Sequence, residues 1–147
     1  MRVIFPEGQS AGGTLHHIGI VVSNLSEAVR QYGLFLGRRN VSEPFHDRIQ
    51  RVNVCFLEVA PASYIEFIEP AAPDSPVSAF LRKRQGGLHH VAFEVADVQA
   101  VVDQRRALGH KVVCEPTLGF DNRTIAFIVP RVPNTVLVEY VSPRPAP

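Results

Sequence analysis

The sequence has few cysteines, almost no net charge and no long apolar run, and each shortage excludes a class of function. Its two cysteines, Cys55 and Cys114, stand far apart with no CxxC spacing. That excludes a disulfide framework and predicts two reduced core thiols in a cytoplasmic protein. A net charge of +1 and a pI near 7.9 provide no broad field to recruit nucleic acid or an anionic membrane, and Arg82, Lys83 and Arg84 form one local basic cluster. No stretch approaches the roughly 18 apolar residues that a membrane span needs. The opening MRVIFPEGQSAGGT lacks the apolar core of a signal peptide. What remains is a chain of 147 residues, 46% hydrophobic and 20% charged, which is enough for one domain with a real core. Residues 1–14 and 143–147 are expected to be tails, with a single domain over 15–142.

That domain is written twice. LHHIGIVV at 15–22 returns as LHHVAFEV at 88–95, an offset of 73 that pairs Ile18 with Val91, Ile20 with Phe93, Val22 with Val95 and Asn24 with Asp97. A helical pattern follows each copy. Leu25, Ala28, Val29, Tyr32 and Leu36 lie along one helical face, as do Val98, Val101, Val102 and Leu108. Asn24 and Asp97 are the expected N-caps, and Gly37 and Gly109 the left-handed stops. Strand-like runs come next at 39–45, 51–59 and 63–68, then at 111–115, 124–129 and 136–141. The expected fold is therefore α+β, with two tandem βαβββ modules at 15–69 and 88–142. Between them, 70–87 reads as a helical linker. Ser75 and Pro76 are its expected N-cap and first position, Val77, Phe80 and Leu81 its apolar contacts, and Gly86-Gly87 its end.

Four residues obey the repeat and resist a packing explanation. His17 and Glu66 are 49 apart, and so are His90 and Glu139. Side chains alternate along a strand, so if Ile18, Ile20 and Val22 cover the helix, His17 faces the other way, and His90 does the same in the second copy. Glu66 and Glu139 interrupt apolar runs, where an unpaired carboxylate carries a large desolvation cost. A histidine at a strand end is ordinarily a surface residue, but two imidazoles and two carboxylates meeting across a pseudo-twofold axis suit one divalent transition metal ion. Co²⁺, Mn²⁺, Ni²⁺, Zn²⁺ and Fe²⁺ all accept that set. His16 and His89 also obey the repeat; by parity they share the helix-facing side, where a strand-end histidine reaches solvent, and they are expected to be structural. His46, His110 and Glu94 are expected to be exposed or to act at one remove from the site.

The stretches HHIGIVVSNLSEAV, YIEFIEPAAPDSPVSAFLRKRQGGLHHVAFEV and VLVEYV resemble the vicinal oxygen chelate superfamily, and within it most closely the methylmalonyl-CoA epimerase family. The likeness spans residues 15–141, and DSPVSAFLRKR followed by GGLHH is its most specific part. It implies a cup-shaped, partly open mixed sheet that holds one metal through residues placed like His17, Glu66, His90 and Glu139. It further implies a small-molecule substrate, an acyl-CoA thioester, whose α-proton is removed, with Glu139 as one acid/base group, and a homodimeric assembly. Two features depart from the family pattern. Where the bacterial enzymes carry a glutamate, this chain has Asn53, Val54 and Cys55, with Glu58 nearby. The loop at Leu118-Gly119-Phe120-Asp121-Asn122-Arg123 and the turn at Val129-Pro130-Arg131 also differ, with Arg123 and Arg131 as candidate phosphate contacts. A glyoxalase-like lyase with the same metal, or a non-catalytic binder, are the alternatives to an epimerase.

Overall fold

The computed structural model describes residues 12–37 and 40–146. The first module runs β1 (Thr14–Val21), α1 (Leu25–Leu36), β2 (Phe45–Asp47), β3 (Val52–Ala60) and β4 (Ser63–Pro70); α2 (Ser78–Arg84) bridges; the second runs β5 (Gly87–Glu94), α3 (Val98–Ala107), β6 (Lys111–Leu118), β7 (Thr124–Val129) and β8 (Leu137–Val141). This is βαβββ twice. The strands form one sheet in the order β2-β3-β4-β1-β5-β8-β7-β6. Each module pairs its first strand in parallel with its last, β1 with β4 and β5 with β8, and the modules join through the antiparallel pair β1 and β5.

The helices form where the repeat places them. Asn24 accepts from the amide of Glu27, and Asp97 from that of Ala100, each satisfying an orphan donor of the first turn. Gly37 and Gly109 follow the two helices with φ of 66° and 81°, a conformation glycine adopts without strain. On the convex face α1 covers Cys55, Leu57 and Phe67, joined by Ile20 and Val22. The second helix of the repeat, α3, covers Ala126, Ile128 and Tyr140 from Val98, Val101 and Val102. The opposite face is concave. There Val21, Val52, Val54 and Ile68 pack with Val77 of the linker, while Ala92, Ile125 and Val141 form a second cluster with Phe120 and Phe127.

Two elements differ from expectation. The strand expected over 39–45 is reduced to a single bridge from Val41 to Leu57, and β2 begins only at Phe45; Arg39 lies outside the described residues. Pro44, lacking an N–H, breaks the ladder between them. The linker helix starts at Ser78 rather than at Pro76: Ser75 and Pro76 make the preceding turn, in which the Ser75 carbonyl accepts from the Ser78 amide. Gln85, at φ 58°, ends the helix just before Gly86 and Gly87. The remaining boundaries agree to within a few residues, β6 running on to Leu118.

The candidate metal centre

Sheet register explains how four distant residues meet. In β4, β1, β5 and β8, one row of neighbours reads Tyr64, His17, Ala92, Glu139, and the next reads Glu66, Gly19, His90, Leu137. Directly paired residues share a face, so both histidines and both glutamates project into the concavity. Gly19 and Ala92 stand between them and obey the same offset of 73. Their smallness is required: a Cβ at Gly19 would lie 2.1 Å from Cε1 of His90, and Ala92 is fully buried. Sequence reading missed these two positions, and the register shows their purpose.

The four side chains are buried, His17 completely. Nε2 of His17 lies 2.9 Å from Nε2 of His90, and the carboxylate contacts are 3.3 Å and 2.9 Å from His17 to Glu66 and Glu139, and 3.2 Å and 3.1 Å from His90. All the ligating atoms lie within 4.8 Å of one another. Adjacent corners of an octahedron drawn on bonds of about 2.1 Å are about 3.0 Å apart, close to the five short separations. Oε2 of Glu139 is fully enclosed and, among the described residues, has no partner of hydrogen-bonding geometry despite its proximity to both imidazoles. A buried carboxylate oxygen set against two imidazole nitrogens is an arrangement that a cation would stabilise, and the donor set fits a divalent transition metal ion.

Without a cation the quartet compensates itself. Burial pulls the His17 pKa down, but Glu66 and Glu139 overrule it and raise it to about 10; His90 is raised by the same two carboxylates against the same burial. Burial pushes Glu66 and Glu139 up, and His17 followed by His90 brings both below the usual carboxylate range.

The doubled histidines correct the expectation from parity. His16 and His89 do not turn toward the helices: between Leu15 and His17 one residue is extra on β1, and opposite the Gly19–Ile20 step one is extra on β5. Each extra residue is the first histidine of its Leu-His-His. These β-bulges bring both members of each pair to one face. Nδ1 of His16 is 2.8 Å from Nδ1 of His17, and Nδ1 of His89 is 2.9 Å from that of His90. The pKa of each bulge histidine is lowered to about 4, by burial and then by the neighbouring imidazole. A neutral bulge imidazole accepts from the Nδ1–H of its neighbour and leaves that neighbour's Nε2 directed at the centre. His16 is buried against Phe56, Tyr64 and Phe120 instead of reaching solvent.

The remaining candidates fall outside the quartet. His46 is exposed, with Nδ1 2.8 Å from Oδ1 of Asn53. His110 is half-buried beyond α3. Glu94 accepts from Arg123 at 2.8 Å, and Arg123 also reaches the Ser142 carbonyl. Buried in that role, Arg123 is not free for a phosphate, whereas Arg131 is exposed. Cys55 is a core thiol as expected, but Cys114 lines the concavity.

Around the centre lies a cavity of about 330 Å³, walled by apolar residues such as Val54, Ile68, Ile125 and Phe127, with Glu66, His90 and Glu139 in its lining. Sequence reading missed Asp47 and Gln50, which line it from the turn after β2. The Gln50 side chain reaches to 3.9 Å from the Cys114 sulfur, so the first module's edge touches the second's and the sheet closes into a cup.

Residues 16–127 match the model of the Glyoxalase/Bleomycin resistance protein/Dioxygenase superfamily. The chain belongs to that superfamily. The Bacillus subtilis protein YqjC, an uncharacterized protein, is 38% identical over 134 residues, covering 88% of this chain and 92% of the relative. An ethylmalonyl-CoA/methylmalonyl-CoA epimerase of Cereibacter sphaeroides is 35% identical, covering 86% and 96%. The crystal structure of methylmalonyl-CoA epimerase from Mycobacterium tuberculosis superimposes with a TM-score of 0.84 at 31% identity, covering 94% of this chain and 93% of that one. The curled mixed sheet of this superfamily member is thus the glyoxalase-like cup that its sequence suggested.

Proposed function

We propose that the protein is a metal-dependent epimerase that inverts the carbon between the thioester carbonyl and the carboxylate of a methylmalonyl-CoA-like substrate. One observation carries the reading: His17, Glu66, His90 and Glu139 converge at the edge of an apolar cavity with a buried carboxylate oxygen left unpartnered. The epimerase relatives favour this chemistry over a glyoxalase-like lyase or a simple binder. The four side chains would hold one divalent transition metal ion, whose Lewis acidity would lower the cost of the negative charge that develops on the carbonyl oxygen. The protein's own residues do the rest. His16 and His89 fix the orientation of the ligand imidazoles, and the apolar walls exclude water from the reacting carbon. Glu139, facing the same cavity, serves as one acid/base group. A homodimer in a reducing, cytoplasmic setting belongs to the same reading and suits two free cysteines.

Each pure epimer of methylmalonyl-CoA, incubated with Co²⁺-loaded protein in D₂O, should yield the other epimer and take up deuterium at the α-carbon. Absence of deuterium from both epimers would overturn the reading.

A further inference from the structure

Epimerisation needs a proton removed from one face of the carbon and returned to the other, hence an acid/base group on each side. The β3 positions 53–55 supply no such group here. Asn53 turns to His46 and Glu69, Cys55 packs under α1, and Val54 faces the cavity as a bare aliphatic. Glu58 is taken by the Asn40 amide, 2.7 Å away. In the neighbouring strand, however, Phe45 pairs with Val54 and Asp47 with Val52, so Asp47 lies diagonally across from Val54 on the same, cavity-facing side. Asp47 is buried and lines the cavity, in the module opposite the one that bears Glu139.

Its carboxyl is also held in place. Oδ1 accepts from the amides of Ile49 and Gln50, both at 2.8 Å, which clamps the side chain in an Asx turn. No hydrogen bond or ion pair to Oδ2 is found among the described residues. The other titratable groups of the lining outside the quartet are engaged: His89 is bonded to His90 and stacked edge-on with Phe80, and Cys114, its thiol pushed up by burial, bonds to the Glu115 carbonyl.

We infer that Asp47 is the second acid/base catalyst, acting on the face of the substrate carbon opposite Glu139 and replacing the glutamate that β3 lacks. The inference rests on the epimerase reading. In one direction the Asp47 carboxylate takes the α-proton on Oδ2 as the C–H bond breaks, and the electron pair passes into the thioester carbonyl as an enolate. Protonated Glu139 then returns a proton to the other face, re-forming a C–H bond; in the reverse direction the roles exchange. No other reactant is consumed.

The test compares wild type with Asp47→Asn, which retains an Oδ1 acceptor for the turn, using each pure epimer in D₂O. Loss of one base should lower epimerisation by about 100-fold or more. Meanwhile the epimer whose α-proton faces Glu139 should still gain deuterium with retention of configuration. Asp47→Ser, whose hydroxyl also accepts from turn amides, repeats the comparison should the asparagine variant not fold. Epimerisation at the wild-type rate in a folded variant, or loss of exchange from both epimers with metal content intact, overturns the assignment. Deuterium uptake by neither epimer in wild type itself removes the epimerase reading and this inference together.

Discussion

At the scale of single residues, the convergence of the quartet depends on two small side chains, Gly19 and Ala92, as much as on its histidines and glutamates. Gly19→Ala should force its new Cβ into the His90 ring. Overpacking of this kind costs roughly 1–3 kcal/mol, and the variant should retain the fold while bound metal, measured by elemental analysis of the pure protein, falls well below that of wild type. His90→Ala should lose the metal outright. The bulge histidines act more gently: His16→Ala or His89→Ala should weaken metal affinity by about 10–100-fold, read by competition with a chromophoric chelator. Acidity is governed at this scale as well. In the metal-free protein His17 is raised to about 10 from an ordinary 6.5, so its stabilising contribution is complete below pH 6.5 and disappears as pH rises through 10. Glu66 and Glu139, held low, contribute above their ordinary 4.5 and lose that contribution on acidification. Metal requires neutral imidazoles and so favours higher pH. The fall in melting temperature caused by a chelator should therefore grow between pH 6 and pH 9, which a series of thermal melts would show.

At the scale of elements, the helices were the most legible part of the sequence, because their caps and apolar faces are local signals. Asn24→Ala should cost roughly 1 kcal/mol, measured by urea unfolding, without changing metal content, since α1 lies on the convex side. The strands were legible in position, but their alternation misled wherever a bulge intervened. Parity assigned His17 and His90 correctly and turned His16 and His89 the wrong way, because a bulge is a property of two paired strands and neither strand alone encodes it. For the same reason β2 was misplaced: Val41 pairs and Pro44 does not, and only the partner β3 decides where the ladder resumes.

At the scale of the whole molecule, the repeat pointed to the quartet because each half carries one histidine and one glutamate at matched positions, and the structure brings the four together. The second wall of the cavity had no such signature. Asp47 and Gln50 have no chemical counterpart 73 residues on, where Phe120 and Arg123 stand, and they reach the site only because the sheet curls until Gln50 meets Cys114. Tertiary closure of this kind is invisible to periodicity.

The seam between β1 and β5 has a further meaning. Each module contributes one imidazole and one carboxylate to the quartet, so on the proposed reading neither would hold more than half a coordination shell. If the polypeptide were cut within the segment joining the modules, the two fragments would be expected to reunite in proportion to the free cation, which would then work as a fastener between them as well as a reagent.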